Sequence, residues 1–482
     1  MRTGDRFNKK EKSWILYDWA NSVYATIMMA AVFNAFFTGL CDDPRGGDYW
    51  WSIGTMVAML FTAVMAPIVG SFADYKGHKK KLFAFFLTLG IAGTISCAFF
   101  NDWRFLLIAY VISNIGFNGS NVLYDSFLPD VTVPEKMDKL SGWGYAMGYI
   151  GGSTIPFIIS IVLIQFGERF GLGMAASVKA SILLTAIWWV GFSIPFFKNV
   201  RQENYVERPS DGVLRNTLKN TVKTAKEIVK NKGLLLFVLA YFFYIDGVGT
   251  IINMATSYGT QLGLGMVGMI LALLVTQLVA FPFSILFGRF AQKIGSLSII
   301  TIAVSVYAFI CVVGFFMGYL IEIAEIPAKL NALNLLAADS SLTIKASGNL
   351  NVINQALQNA GIADSAWNTQ PEYLAAISRS TYLFWVLATL VGTVQGGIQA
   401  VSRSYFSKLV PPEKAGEYFG FFEIFGKFAA IMGPLLYALT KSFTGRSSFS
   451  ILSVILLFVV AFLILMTGRK HMPKGAVLNH KA

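Results

Sequence analysis

Twelve long apolar stretches are the feature that most constrains what this chain can fold into. A helix that crosses a bilayer needs about 20 mainly apolar residues, whereas a membrane-spanning strand is shorter and alternates apolar with polar residues. Only 13% of the 482 residues are charged, about half the share of a soluble protein. We therefore predict an all-α membrane protein with twelve transmembrane helices. The predicted spans are residues 13–38, 50–73, 82–100, 104–128, 141–165, 177–197, 234–260, 265–291, 297–322, 377–407, 416–440 and 447–468.

The net charge of +13 is distributed in a way that indicates topology rather than nucleic-acid binding. Lysine and arginine concentrate in alternate loops, namely the N-terminal tail, "YKGHKKK" (75–81), residues 198–232 and the C-terminal tail. An opposite loop, "CDDPRGGD" (41–48), is slightly acidic. By the positive-inside rule, we expect the basic loops and both termini in the cytoplasm, and no nucleic-acid partner.

The sequence carries no arrangement typical of an enzyme, a metal site or a disulfide framework. The apolar stretch after "MRTGDRFNKKEK" is too long for a cleavable signal peptide and lacks a small-residue cleavage site, so we expect none. No nucleotide-binding loop or Ser/His/Asp set is visible, and the histidines lie outside the predicted spans. We therefore expect a protein that is not an enzyme and holds no cofactor or metal. The scattered residues are Cys41, Cys97, Cys311, His78, His471 and His480.

A polar linker, residues 199–233, divides the predicted spans six and six. We predict two six-helix bundles, residues 1–198 and 234–482, joined by this linker. Apolar residues of the linker recur on one helical face with lysines beside them, which indicates an amphipathic helix on the inner membrane surface. A solvated linker helix is the alternative. The apolar face consists of Leu214, Leu218, Val222, Ala225 and Val229.

The two halves also repeat one another weakly. "GSFADYKGHKKK" (70–81) follows span 2 and "GRFAQKIGS" (288–296) follows span 8, with glycine, phenylalanine, alanine and glycine at identical spacing. "PEK" recurs after span 4 (134–136) and after span 10 (412–414). Weak internal repeats at corresponding positions are typical of secondary transporters. The loop 324–376 has no counterpart in the first half, and the sequence leaves open whether it is a lid or an addition.

The loop between spans 2 and 3 resembles the signature of the major facilitator superfamily, G-x-x-x-D-x-x-G-x-(K/R)-(K/R). The resemblance implies two pseudo-symmetric six-helix bundles, with spans 1, 4, 7 and 10 around a central cavity. It implies a gating role for the motif, in which Asp74 accepts from the N-terminus of span 11, and it places Lys79 and Lys80 at the inner surface near anionic lipid. The second copy has Gln292 in place of Asp74. The matching residues are Gly70, Asp74, Gly77, Lys79 and Lys80.

Within that superfamily, the chain resembles the branch of autophagy-related vacuolar amino-acid effluxers and its bacterial relatives. The resemblance covers nearly all spans, but neither the 324–376 loop nor most of the linker. It implies transport of a small molecule, with amino acids as the substrate class of the vacuolar members. It is carried by "YDWANSVYATIM" (17–28), "YDSFLPDV" (124–131), "GYAMGYIGG" (144–152), "IDGVGTI" (245–251) and "QGGIQAVSRSYFSKLVPPEKAGEYFGFFEIFGKFAAIMGP" (395–434).

Two stripes of polar residues lie within the predicted spans. At 3.6 residues per turn, the polar residues of span 4 share one helical face, and span 10 carries a matching stripe. We interpret the two stripes as opposite walls of one hydrophilic cavity that binds the substrate. The alternative is that the amides only join helices by hydrogen bonds. The stripes are Asn114, Asn118, Asn121 and Asp125 on span 4, and Gln395, Gln399 and Arg403 on span 10.

Asp125 and Arg403 lie near the cytoplasmic ends of their spans, at positions that the "PEK" repeat makes equivalent. We predict that they form an ion pair that closes the inner mouth when the protein faces outward. The alternative is that each charge pairs within its own half.

Other ionisable residues inside the spans are candidates because burying them in lipid is costly. Asp246, near the middle of span 7, is predicted to bind an ammonium group or carry a proton, and Gly247 and Gly249 beside it would allow close backbone approach or local unwinding. Two alternatives stay open for Glu423 and Lys427 on span 11. Either they only neutralise each other, or Lys427 binds the substrate carboxylate while Glu423 titrates. We assign conformational or coupling roles to Asp18 and Asn21.

Together these features predict a secondary active transporter that moves an amino acid or related zwitterion by alternating access with proton coupling. The alternatives are sodium coupling through the asparagine stripe, another solute such as a sugar, nucleoside, peptide or drug, and a receptor or scaffold that does not transport. We expect a monomer in a bacterial inner membrane, whose partners are the lipid bilayer and a small-molecule substrate.

Overall fold

The structure, a computed structural model, describes residues 6–209, 212–263, 265–336, 349–429 and 431–472. Within these residues, the chain forms twelve helices that are long and apolar enough to cross a membrane. The predicted fold class, an all-α membrane protein with twelve transmembrane helices, is confirmed. Most of the basic C-terminal tail and part of the 324–376 loop lie outside the described residues.

The helices run back and forth, six before the linker and six after it. The first six spans are Lys9–Leu40, Gly47–Ala73, Lys79–Phe99, Trp103–Ser126, Pro134–Phe170 and Met174–Asn199. The last six are Lys232–Gln261, Met266–Ile294, Ser296–Leu336, Pro371–Leu409, Pro412–Thr444 and Ser447–Gly468.

Consecutive spans cross in opposite directions, so the two ends of the bundle differ. One end of the bundle, which we call the linker side, contains the linker and the turns after spans 2 and 4. The start of span 1 and the end of span 12 lie there too. The segment between spans 9 and 10 lies at the other end, the loop side. Lys10 at the start of span 1 connects parts of the linker side. Its ammonium donates to the carbonyl of Asp130, after span 4, and to Glu203 of the linker, both at 2.7 Å.

Several spans begin at sequence-encoded caps. Asn8 and Glu11 form a reciprocal capping box at the start of span 1, each side chain accepting from the other residue's backbone N–H. Asp102 accepts from the N–H of Arg104 at the start of span 4. These caps satisfy backbone donors that a helix end otherwise leaves without partners.

The loop-side segment is more helical than its polar sequence suggested. Span 9 continues as one helix to Leu336, beyond the predicted end at residue 322, and two short helices follow at Leu350–Asn359 and Ser365–Asn368. Lys329 links these parts, because it pairs with Glu325 at 2.5 Å and donates to Asn354 at 2.6 Å. Polar side chains can extend a helix past the membrane once they have such partners, which a hydropathy pattern does not reveal.

A break between two helices lies in span 11 and not in span 7, while spans 1 and 5 each include a π-helical segment, Ala25–Ala31 and Gly148–Thr154. Span 7 is a continuous helix through Gly247 and Gly249, so the alternative of local unwinding there is wrong. Gly247 instead allows close approach, since a side chain at this position would collide with the ring of Phe458. Span 11 consists of two helices, Ala415–Phe428 and Met432–Thr444.

The linker begins as an extended segment that joins the turn between spans 2 and 3. The N–H of Val206 donates to the carbonyl of Asp74 at 2.8 Å, and the N–H of Lys76 donates back to Val206 at 3.1 Å. A helix, Val213–Lys230, follows, and only Asn231 separates it from span 7, which begins at Lys232. We call it the linker helix.

Candidate transport site and the contacts that close it

Arg403 is the centre of an ion-pair cluster between the two halves. Its guanidinium, on span 10, donates to Asp125 of span 4 at 2.9 Å and to Asp18 of span 1 at 3.0 Å. It also donates through Nε to the hydroxyl of Ser141 on span 5 at 2.8 Å. Since all three partners belong to the first half and Arg403 belongs to the second, these bonds hold the halves together. The geometry of the predicted Asp125–Arg403 pair is present, with Asp18 as a second anion.

Aromatic rings enclose the same guanidinium. The rings of Trp14, Tyr124 and Tyr145 have their centroids 4.6, 5.5 and 4.5 Å from the Arg403 Cζ atom. Arg403 is only 3% exposed. Ring faces attract a desolvated cation, and the planar guanidinium can stack and donate at the same time. Gly144 provides the necessary space, because a side chain there would collide with the Asp18 carboxylate and with Arg403.

A second contact joins span 2 to span 11, also on the linker side. The Asp74 carboxylate accepts from the backbone N–H groups of Gly416 at 2.8 Å and of Glu417 at 2.9 Å, at the start of the helix Ala415–Phe428. The N-terminus of a helix offers free donors and a positive dipole end, which suit an anion. Gly70 and Gly416 permit the approach, since a side chain on either would strike the backbone of the other helix. We call this contact the Asp74 latch.

Burial opposes the charge of Asp74 within this latch. The carboxyl group is 2% exposed, and its burial raises its pKa to about 7, although Lys79 and the two N–H donors act in the opposite direction. Asp74 therefore titrates near neutral pH while the latch is closed.

A third contact, centred on Asp138 of span 5, was missed from the sequence. Its carboxylate accepts from Ser404 of span 10 at 2.5 Å and from Ser296 at the start of span 9 at 3.1 Å, and it pairs with Lys408 of span 10. The group is 1% exposed. Sequence reasoning missed it because span 5 was predicted to begin at residue 141, which left Asp138 in a loop. The sequence feature that could have indicated this contact is a carboxylate four residues after Pro134, the residue that starts the helix.

Gln292, the counterpart of Asp74 in the second half, makes a neutral contact at the same interface. Its amide donates to the carbonyl of Glu135 at 2.7 Å. The first half therefore supplies the carboxylates of all three charged contacts described above: Asp74 toward span 11, Asp138 toward spans 9 and 10, and Asp18 and Asp125 toward Arg403.

The predicted polar stripe of span 4 forms a hydrogen-bonded chain that reaches the second half. Lys427 of span 11 donates to the amide oxygen of Asn118 at 2.7 Å and lies 3.1 Å from Glu423. Asn118 donates to the amide oxygen of Asn114 at 2.6 Å, and Asn114 donates to the hydroxyl of Tyr110 at 3.2 Å. We call this series the polar chain. Lys427 lies twelve residues after Ala415, about 18 Å along the helix, and so lies deep in the span.

The remaining stripe residues lie around this chain. Asn121 accepts from Asn21 of span 1 at 2.7 Å, within the first half. On span 10, Gln395 is buried and lines an apolar cavity of about 100 Å³ in the second half, while Gln399 is half-buried. Other residues lining this cavity are Ile251, Met269, Thr276, Met317 and Phe384.

Asp246 lies at the break in span 11. Both of its carboxylate oxygens are 3.0 Å from the N–H of Gly433, and the hydroxyl of Thr250 is 3.4 Å from one of them. The group therefore caps the helix Met432–Thr444, which begins at the discontinuity. The structure does not place it beside Lys427, whose contacts are on the preceding helix segment and on span 4.

Of the basic residues in the motif after span 2, Lys79 lies inside the first half, so the expectation that it lies at the inner surface near lipid is wrong, whereas Lys80 is half-buried. Lys79 is fully buried and pairs with Asp130 at 2.9 Å. Lys80 donates to the carbonyls of Phe197 and Val200 at the end of span 6, at 2.5 and 2.8 Å. Their positive charges have protein partners, which hydropathy and loop position could not indicate.

Gly77 forms the tight part of the turn between spans 2 and 3. Its φ of 74° lies in the left-handed region, which glycine adopts without strain. Its N–H donates to the side chain of Gln202 in the linker at 2.9 Å.

Twelve spans in two halves that meet through charged contacts on one side define a transporter of the major facilitator superfamily. Solved structures agree: the Escherichia coli fucose:proton symporter FucP superimposes with a TM-score of 0.62 over 95% of this chain and 97% of that chain, at 12% identity. At this identity, the likeness shows the fold alone. Members of this superfamily are transporters, not enzymes.

The family within the superfamily follows from the sequence matches. The family model "Vacuole effluxer Atg22 like" matches residues 52–331 and 379–474. The uncharacterized MFS-type transporter YxiO of Bacillus subtilis (strain 168) is 40% identical over 95% of both chains. Autophagy-related protein 22 of Saccharomyces cerevisiae (strain ATCC 204508 / S288c) is 22% identical over 85% of this chain and 76% of that protein. The chain belongs to the Atg22-like family.

Proposed function

We propose that the protein is a secondary active transporter that moves a small zwitterion, such as an amino acid, by alternating access with proton coupling. The transporter fold and the Atg22-like family support transport of a small molecule. The zwitterionic substrate class and the proton coupling are inferred from the charged residues Lys427 and Glu423 at the polar chain.

The observation that carries this proposal is the contact between Lys427 and Asn118. It lies between the halves, deep in the spans, and joins an ammonium group to a neutral amide oxygen at 2.7 Å. A substrate carboxylate in place of that oxygen would make a charge-assisted hydrogen bond, which is stronger than the one it replaces. Lys427 is thus the proposed carboxylate-binding residue.

Glu423 supports proton coupling at the same site. It neutralises Lys427 at 3.1 Å in this state, and a substrate carboxylate that takes Lys427 would leave Glu423 free to accept a proton. Asp246 is a second candidate for the proton, at the break in span 11.

The asparagine stripe favours a proton over sodium, although sodium stays the alternative. A sodium ion takes oxygen ligands, and the amide oxygens of Asn118, Asn114 and Asn121 already accept from Lys427, Asn118 and Asn21. A bound cation would have to displace an ammonium group from Asn118 and would meet its positive charge.

We further propose that the linker side faces the cytoplasm of a bacterium and that the protein acts as a monomer in the inner membrane. The basic linker and turns support this orientation by the positive-inside rule. In that orientation, the structure corresponds to a state closed toward the cytoplasm, because the contacts of Arg403, Asp74 and Asp138 all lie there.

A ligand-binding experiment tests the substrate class. The purified protein is heated with amino acids, dipeptides, nucleosides and sugars in turn, since a ligand that binds only the folded state raises the melting temperature. We expect amino acids to raise it in the wild type and in Lys293→Gln, an exposed control, but not in Lys427→Gln. A rise with sugars or nucleosides only, or an amino-acid rise that survives Lys427→Gln, would contradict the proposal.

A further inference from the structure

The linker helix has three distinct faces. Its protein face buries Thr217, Thr224 and Ile228 against the bundle. Beside it lies an apolar stripe that remains exposed, with 69% exposure at Leu214 and 56% at Val222. The rest of this stripe is Leu218 and Val229, and the third face carries the exposed lysines Lys219, Lys223, Lys226 and Lys230.

The protein face touches both halves next to the Asp74 latch. On the first half, the hydroxyl of Ser71 in span 2 donates to the carbonyl of Thr217 at 3.4 Å. On the second half, the hydroxyl of Thr224 donates to the Glu417 carboxylate at 2.9 Å. Glu417 is also one of the two residues whose N–H groups hold Asp74. The linker helix therefore bridges the two helices that the latch joins.

A second group of contacts fixes the linker helix to the start of span 11. Glu227 accepts from the hydroxyl of Tyr418 at 3.1 Å and lies 3.5 Å from the ammonium of Lys414. If spans 2 and 11 separated on the linker side, the linker helix could keep its contacts with only one of them. Its docking on both is specific to the closed state.

The position and charge of the exposed stripe indicate what covers it. The linker helix ends at Lys230, and Asn231 caps span 7, accepting from the N–H of Leu234 at 3.1 Å. The last residue of the stripe, Val229, therefore lies three residues before Lys232, where span 7 begins. An apolar stripe bordered by lysines at that level matches the acyl chains and anionic headgroups of a bilayer.

We propose that the linker helix is a lipid-bound clamp on the Asp74 latch. Its apolar stripe inserts into the leaflet on the linker side, its lysines contact anionic phospholipid headgroups, and its protein face holds spans 2 and 11 together. Anionic lipid therefore favours the state closed on that side. This clamp is independent of which solute the protein transports.

Distance measurements on the full-length protein test the clamp. Spin labels replace two exposed residues beside the latch, Lys76→Cys and Glu413→Cys, after the three native cysteines have been changed to alanine. The protein is placed in nanodiscs of phosphatidylcholine, with or without phosphatidylglycerol. Each lysine near an anionic surface raises the constant for membrane binding by about fivefold. We therefore expect phosphatidylglycerol to raise the ratio of short to long distances by about fivefold or more.

Two sets of lysine variants distinguish the linker helix from general surface charge. The triple variant Lys219→Gln, Lys226→Gln and Lys230→Gln should lose the response to phosphatidylglycerol. The matched triple Lys198→Gln, Lys293→Gln and Lys470→Gln removes three exposed lysines elsewhere on the linker side and should keep it. Equal distance distributions in both lipids, or equal losses in the two triples, would overturn the clamp.

A label at Val222→Cys tests the occupant of the apolar stripe directly. A side chain in the acyl region is more accessible to dissolved oxygen than to a water-soluble nickel chelate, which is the result we expect. Greater access to nickel would mean that the stripe lies in water. Dipolar coupling between labels on two molecules would mean that a second copy covers it. Either outcome overturns lipid insertion.

Discussion

At the residue scale, Arg403 explains how a buried cation can be held between two movable halves. Two carboxylates, a serine and three aromatic rings surround one guanidinium. The desolvation cost of the cation and of its two anions is offset only while these groups are together. Separation of the halves must therefore rehydrate Arg403, Asp18 and Asp125 at the same time, which suits a contact that is either made or broken as a unit.

Removing the charge of Arg403 should be strongly destabilising. Arg403→Gln leaves the buried Asp18 and the half-buried Asp125 without their cation, and breaking a buried pair costs about 3–5 kcal/mol. We expect a large fall in the melting temperature of the purified protein, measured by intrinsic fluorescence.

The control for this prediction is Arg403→Lys. It keeps the charge but cannot donate to two carboxylates and a serine in one plane, so its loss should be smaller. If Arg403→Gln melted with the wild type, the cluster would not stabilise the state seen here.

The Asp125–Arg403 contact could be predicted from sequence, whereas the position of Asp246 could not. The "PEK" repeat aligned Asp125 with Arg403, and equivalent positions of two pseudo-symmetric halves meet where they lie close to the symmetry axis. For Asp246, the sequence indicated only its depth in span 7. Its partner, the N–H of Gly433, is a backbone group exposed by a break in another span. No side-chain pattern marks such a break.

At the scale of helices, the latch between spans 2 and 11 joins a side chain to a helix end. Asp74 accepts from two N–H groups, and Gly70 and Gly416 bring the helices close enough for that. The motif resemblance predicted the N-terminus of span 11 as the partner, and the N–H groups of Gly416 and Glu417 occupy that place. It did not predict that Lys79 would be buried against Asp130, because a motif gives the spacing of residues and not the direction of each side chain.

The latch should close more firmly in acid. Asp74 has a pKa of about 7 when buried in the closed latch and would have an ordinary value of about 4 once exposed to water. The closed state therefore binds the proton more tightly, so closure is favoured at low pH and this advantage is lost as the pH rises through about 7. Spin labels at Lys76→Cys and Glu413→Cys should show more short distances in acid.

The isosteric variant Asp74→Asn provides the comparison. Its amide oxygen can still accept a hydrogen bond but cannot titrate, so its distance distribution should respond to pH less than that of the wild type. A wild-type distribution that shifted toward short distances on raising the pH would contradict the assignment.

Helix boundaries also account for what sequence reasoning missed at this scale. Span 5 begins at Pro134, earlier than residue 141, and this difference brings Asp138 into the interface with Lys408. Span 9 continues to Leu336 on polar contacts beyond the apolar run. Hydropathy locates the apolar centre of a helix well, but helix ends depend on caps and tertiary partners that it does not contain.

At the scale of the whole molecule, three charged contacts join the two halves on the linker side of the described part of the chain. They connect span 2 to span 11, span 5 to spans 9 and 10, and span 10 to spans 1, 4 and 5. The contact that the pseudo-symmetry relates to the Asp74 latch is the neutral one between Gln292 of span 8 and Glu135 at the start of span 5. Between these contacts and the loop side, the polar chain holds Lys427 against Asn118. A closed end and a charged group between the halves are the parts that alternating access requires.

Twelve spans and the division into six and six were readable from sequence because lipid imposes length and hydropathy on every span. The substrate is not encoded in the same way. Selectivity depends on where a few side chains such as Lys427 and Glu423 meet, and those meetings arise from packing between distant parts of the chain.

The most direct test of the central claim is uptake of a labelled amino acid by proteoliposomes under an inward proton gradient. We expect accumulation above the external concentration in the wild type and in Lys293→Gln. Accumulation should stop when a protonophore collapses the gradient, and Lys427→Gln should not accumulate the substrate at all. Uptake that persisted in Lys427→Gln, or accumulation that required sodium and ignored the proton gradient, would contradict the account.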